Sequence, residues 1–406
     1  MSALVATTIL TGPSAAEPFS TAPCALHRTD AHHSEGVDTW NADYTRPTHP
    51  LSAVMVFLSF PDAAPQTTTA ELAADHFPAT SRYYEQASYG KFTIRPHPLA
   101  HWLRMPRPSV AYGIRRDWSV TLRAAYLRDA FAAADPEVDF SRYDVVYFVA
   151  DPDAPGVDSD ATKVVNLDTP VHVDGTDVRR VVTVFEKHPP DRLVLAHETG
   201  HVFDLPDLYH RPVDGKGDWD TYVGDWDLMG SQFGLSPDFF AWHKWKLGWL
   251  DPRQVVCVRG AGPTRLTLEP LSAGPGVPAQ GAAGAPAFGF GDGTKLAVVR
   301  TGPDTVLAFE ARGASGNDSA ACRQGILVYR VRDETASGSG PIEVVDAHPR
   351  TEACWENSVY PPLADAPVAL GESFTVPVDG VQVAVEGRTA SGAWNVRITP
   401  GTPAES

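Results

Sequence analysis

The sequence predicts an α+β fold in two parts: a mixed twisted sheet carrying helices, then an all-β region. Three observations lead there. Apolar runs of strand length alternate with helical periodicity as far as about residue 210. Beyond residue 250 only short β-like runs recur, with turn residues between them. A chain of 406 residues has room for more than one core. The boundaries fall at 1–48 for a leader and N-terminal extension, 49–250 for the first domain and 251–406 for the second.

Residues 1–48, rich in Ala, Thr, Pro and His, show no period and read as leader and extended arm. The stretch MSALVATTILTGPSAA has the apolar and small residues that end an export signal, though not its basic front. LSAVMVFLSF (51–60) reads as a buried strand, 68–88 as helix broken near Pro78, and GKFTIRP (90–96) as a strand. WSVTLRAAYLRDAFAAAD (118–135) predicts an amphipathic helix with Leu122, Ala125, Tyr126, Ala130 and Ala133 on one stripe. YDVVYFVAD (143–151) and RRVVTVFE (179–186) predict further strands. DFFAWHKWKLGWL (238–250) predicts a helix packed on the core, with His243 among Trp242, Trp245 and Trp249. A low-complexity Gly/Ala/Pro stretch (277–293) then precedes six β-like runs, in the manner of a small sandwich.

Composition excludes some functions. A net charge of -17 without a Lys/Arg run argues against a nucleic-acid partner, which needs a basic stripe. No window reaches the roughly 20 apolar residues of a membrane span, so no membrane insertion is expected. Four cysteines in an exported chain suit two disulfides. Cys322 with Cys354 is the preferred pair, both lying in the β-rich region; Cys24 is expected to pair with Cys257 or remain a free thiol, a latency ligand being the minor alternative.

The chemistry is concentrated in LVLAHETGHVFDLPDLYH (193–210). His197 and His201 are four apart and share one helix face, and Glu198 lies about 100° round from the first histidine. Two imidazoles can then hold one zinc ion while the carboxylate serves as base for its water. The bland alternative is a core helix with hydrogen-bonded histidines. No glutamate occurs between Glu198 and Glu269, so a later glutamate is not a ready third ligand. The metzincin register HExxHxxGxxD puts Asp207 on the third ligand; His210 and Asp220 remain alternatives. Asp204 stands where glycine normally makes the turn, a place Asp can take because it visits positive φ more readily than most residues. Met229, in GDWDLMGSQ, suits the methionine turn beneath such a metal. Ser231 replaces the tyrosine some metzincins place two residues later, leaving Tyr209 and Tyr222 as candidates for oxyanion stabilisation.

These blocks, together with SRYYEQASYGKFTI, VDFSRYDVVYFV, AWHKWKLGWL, VLAFEAR and GILVYRVRD, resemble the signature blocks of secreted bacterial peptidases related to immune inhibitor A, over roughly residues 50–335. The resemblance implies a secreted zinc endopeptidase with a metzincin-like catalytic domain, polypeptide substrates and often structural calcium; a monomer is expected. The acidic runs 151–160 and 214–220 are the calcium candidates, although neither has EF-hand spacing. Two other readings stay open: a zinc hydrolase of non-peptide amides or esters, and a non-enzymatic surface module on the same scaffold. The intact Glu198 argues against the second.

Overall fold

Strand β1 (Leu51–Ser59) shows why the first apolar run is continuous rather than alternating. Ala53, Met55 and Phe57 enter one core and Val54, Val56 and Leu58 another, so both faces of the strand are covered. The structure, a computed structural model, describes residues 22–191, 193–212, 216–260, 262–274 and 293–401. The export-signal reading at 1–16, nearly all of the 277–293 stretch and part of the acidic run 214–220 lie outside the described residues.

Helix α1 (Thr69–His76) opens on a reciprocal cap, in which Thr68 accepts the Glu71 N–H and the Glu71 carboxylate accepts that of Thr68. Pro78 separates it from α2 (Ala79–Ala87), where the break was expected. Strand β2 (Ile94–Arg104) runs further than GKFTIRP and forms a sheet edge, where Pro96 and Pro98 are tolerated. Helix α3 (Val120–Ala134) buries Ala125, Tyr126, Leu127, Ala130, Phe131 and Ala134. Its buried face is rotated from the expected stripe, because Leu127 and the large Phe131 take the core, leaving Leu122 and Ala133 half-buried. Phe131 meets Phe148 of β3 (Val145–Ala150) edge-on at 5.1 Å.

Strands β4 (Lys163–Val173) and β5 (Thr176–Val184) complete a sheet of order β2-β1-β3-β5-β4. β4 pairs antiparallel with β5; the other pairs are parallel. KVVNLDTPVHV carries too few consecutive apolar residues to announce a strand. Helix α4 (Val194–Val202) and helix α5 (Ala241–Lys246) lie in the core on the opposite side of this sheet from α3. As expected, His243 is buried with its three neighbouring tryptophans.

The β-rich part forms two further sheets. β6 (Val255–Val258), β8 (Leu296–Arg300), β9 (Thr305–Arg312), β10 (Gly325–Arg332) and β11 (Ile342–Val344) give the order β11-β10-β9-β8-β6. β7 (Thr264–Leu268), β12 (Ser373–Thr375), β13 (Gln382–Arg388) and β14 (Trp394–Thr399) give an antiparallel sheet of order β12-β13-β14-β7. The arrangement is mixed, with several sheets and few helices, in keeping with the α+β class.

Packing runs across both expected boundaries. Val298, Ala308 and Tyr329 share a core with α4 and α5, while Val299, Phe309 and Val328 on the other face meet the third sheet. Glu310 of β9 accepts the N–H of Ala241 in α5 at 2.7 Å. Leu26 and Val37 of the N-terminal arm enter the same core. All four cysteines are paired, as Cys24–Cys257 and Cys322–Cys354, so Cys24 is not a zinc-blocking thiol. No helix among the described residues is long and apolar enough to cross a membrane.

Candidate metal centre

Helix α4 projects both histidines towards the turn that follows it. Asp207 Oδ1 lies 3.4 Å from His197 Nε2 and 3.0 Å from His201 Nε2. Among the described residues this is the one group of three or more such side chains whose ligand atoms lie within 4.8 Å of one another. Those separations suit zinc: tetrahedral bonds of about 2.0–2.1 Å put ligand atoms roughly 3.3 Å apart.

The hydrogen bonding orients the cage. His197 Nδ1 faces Leu228 O and His201 Nδ1 faces Leu205 O, each at 2.8 Å. A carbonyl can only accept, so both rings donate from Nδ1 and are free to turn an Nε2 lone pair towards the common point. Asp207 Oδ1 is buried, yet neither contact with the histidines has hydrogen-bond geometry. Burial disfavours charge at His201, but Asp207 overrides it and pushes the pKa up to about 9. Burial likewise disfavours the Asp207 carboxylate, while the two histidines hold it well below its ordinary range. The field that favours positive charge on His201 also favours a divalent cation.

Glu198 is buried beside this group, and its Oε2 accepts the Val164 N–H of β4 at 2.7 Å. Burial raises its pKa. From behind, Tyr84 donates to Ala196 O at 2.7 Å, and Tyr147 meets the Thr199 hydroxyl at 3.0 Å. Gly200 lets Met229 pack close against the helix, since a Cβ there would lie 2.5 Å from the Met229 sulfur and force it to shift. Met229 thus packs under α4, and the preceding carbonyl of Leu228 orients His197. Asp227 shapes that turn by accepting the N–H groups of Met229 at 2.8 Å and Phe240 at 2.7 Å.

The other candidates are resolved by position. His210 Nδ1 lies 3.2 Å from the Tyr222 hydroxyl, and neither residue lines the cleft. Asp220 lines the cleft outside the three-residue group, with burial raising it to about 6. Tyr209 lines the cleft, its ring stacked 6.3 Å from that of His197. Asp204 takes φ 64°, as the turn requires, and is buried. In the acidic run 151–160, Asp158 caps a turn through the Asp160 N–H and Asp160 pairs with Arg116 at 3.5 Å. Neither acidic run gathers three carboxylates into a metal-sized group among the described residues.

The cleft holds about 1010 Å³ and is lined by the metal group, Glu198, β4 residues Lys163 and Val164, Tyr209 and Trp219. Sequence reasoning missed supports drawn from elsewhere: His33 meets Asp204, Glu35 and Asp227 flank His243, and the Ser337 hydroxyl accepts the Asp207 N–H. The one local signal was Asp227, two residues before Met229, a spacing at which aspartate folds back on its own backbone.

No protein-family model and no curated protein matches the chain. Among solved structures, OgpA from Akkermansia muciniphila is similar in two crystal forms. One is 13% identical, with a TM-score of 0.24, covering 89% of this chain and 95% of that one. The other is 12% identical, with a TM-score of 0.23, covering 89% and 94%. A likeness this slight carries no argument.

Proposed function

We propose that the chain is a zinc-dependent endopeptidase of the immune inhibitor A-like type, with a metzincin-like catalytic domain, acting outside the cell. The observation that carries this reading is the convergence of His197 Nε2, His201 Nε2 and Asp207 Oδ1 beside a buried glutamate. His197, His201 and Asp207 would hold the zinc, which when bound would supply a Lewis acid and an acidified water. Glu198 would be the group that takes up a proton from water and passes it to the leaving amine. Burial raises its pKa, which is the direction such a two-way role needs. The Val164 N–H holds one of its oxygens, which fixes the direction of the other.

The antiparallel edge strand β4 brings backbone at Lys163 and Val164 to the cleft, where an extended polypeptide can lie beside it. Of the two tyrosine candidates for oxyanion stabilisation, Tyr209 lines the cleft and Tyr222 does not, which favours Tyr209 in this reading. The two disulfides fit an oxidising compartment.

The test pairs metal analysis of purified protein with casein hydrolysis, with and without a zinc chelator. Stoichiometric zinc and chelator-sensitive cleavage are expected. Protein that binds zinc but hydrolyses small esters or amides and no polypeptide would overturn the peptidase reading; protein that binds no zinc would overturn the site.

A further inference from the structure

The departure at Asp204 has a partner far away in the chain. Glycine takes positive φ more freely than aspartate does, and the aspartate here also buries a carboxylate. His33 of the N-terminal arm meets that carboxylate, Nδ1 to Oδ1 at 2.9 Å, and is itself buried. Lys246 donates to the Asp204 carbonyl, with its nitrogen 4.0 Å from the other carboxylate oxygen. The His33 ring also stacks on the His201 ring, centroids 5.6 Å apart and planes at 24°.

These contacts bear on the turn that orients a ligand. Asp204 N–H bonds to His201 O at 3.2 Å, Leu205 N–H to Gly200 O at 3.1 Å, and Leu205 O is the acceptor for His201 Nδ1. Moving Asp204 therefore moves the group that aims His201. The arm reaches the third ligand too. Ser337 donates its N–H to His32 O, its hydroxyl accepts the Asp207 N–H at 2.8 Å, and Gly338 N–H bonds to Asp207 O at 2.9 Å. The disulfide Cys24–Cys257 and the Glu35–His243 pair at 2.9 Å fasten this arm on either side of His33.

We infer that the N-terminal arm is a built-in part of the metal centre, with His33 as a positioning residue that orients His201 through Asp204. The inference rests on the proposed zinc site. It follows that processing which removed His33 would take away a support of the metal rather than release an inhibitor, and the Cys24–Cys257 disulfide keeps the start of the described arm covalently joined to the rest of the chain.

The test uses the full chain and measures zinc affinity by competition with a chromophoric chelator, together with the visible spectrum of the cobalt-substituted protein. His33→Ala is expected to weaken zinc about 10–100-fold, the usual effect of losing an outer support of a metal ligand, and to alter the cobalt bands. His33→Asn, whose amide can donate from the place of Nδ1, is expected to keep both near wild type. Asp204→Gly in the His33→Ala background is expected to recover most of the affinity, because glycine makes the turn without a carboxylate to hold. Unchanged affinity and spectrum in His33→Ala would overturn the inference, as would a double variant as weak as the single one. Wild-type protein that takes up no zinc would instead sink the functional reading, and this inference with it.

Discussion

Replacing Glu35 with glutamine asks whether the N-terminal arm carries electrostatic weight in the folded protein. His243 is fully buried, Nδ1 3.1 Å from Asp227 and Nε2 2.9 Å from Glu35. Burial disfavours the imidazolium, but the carboxylates of Glu35 and Asp227 outweigh it and push the pKa up to about 9. In the unfolded chain the value is about 6.5. Between those values the folded state binds the extra proton. The stabilisation is therefore complete below about pH 6.5 and is lost as the pH rises through about 9. At about 1.4 kcal/mol per pH unit, the gap corresponds to roughly 3 kcal/mol. Urea unfolding followed by tryptophan fluorescence, at intervals across that window and with chelator present throughout, measures it as the difference between wild type and variant, since zinc is absent and the raised His201, which acts over the same window, is common to both. Wild-type stability should fall with pH. The Glu35→Gln protein should be less stable at the acid end and show a shallower fall, since one of the two carboxylates that hold the imidazolium is gone. Level wild-type stability, or an undiminished slope in the variant, would refute the reasoning.

Glu198→Gln should retain zinc at wild-type stoichiometry while casein turnover drops about 10²–10⁴-fold; turnover near wild type would remove Glu198 as the base. Gly200→Val should destabilise the protein by about 1–3 kcal/mol through overpacking and weaken zinc binding, since the new Cβ meets the Met229 sulfur at 2.5 Å; a thermal melt and chelator competition read both, and no change in either counts against the packing argument. Of the two disulfides, Cys24–Cys257 spans 233 residues and Cys322–Cys354 spans 32. On chain entropy their losses cost about 5 and about 4 kcal/mol, so the Cys24→Ser/Cys257→Ser protein should unfold at lower denaturant than Cys322→Ser/Cys354→Ser, and the reverse order would show that loop closure is not the governing effect.

What could be read from the sequence is what depends on near neighbours. His197, Glu198 and His201 obey helical spacing, Asp207 sits in a short register from them, and β1, β3, β9 and β10 are apolar runs ended by turns. β4 has no apolar signature because an edge strand beside a polar cleft need not be apolar, and the buried face of α3 departs from its periodic stripe because side-chain size competes with periodicity. The supports of the metal group were illegible for a different reason. His33 lies 171 residues from Asp204, and Glu35 lies 208 residues from His243, separations no local pattern spans. Yet one of them left a trace. Asp204 at a turn that favours glycine poses a physical demand, because a carboxylate buried there needs compensating donors or charge. The demand can be read residue by residue; which groups meet it is set by the fold, when the disulfide-tethered arm delivers His33 and α5 delivers Lys246 to opposite sides of the same turn. A local rule broken at one residue is thus a pointer to long-range packing, and here it leads from the turn at Asp204 to an N-terminal arm whose own sequence shows no period.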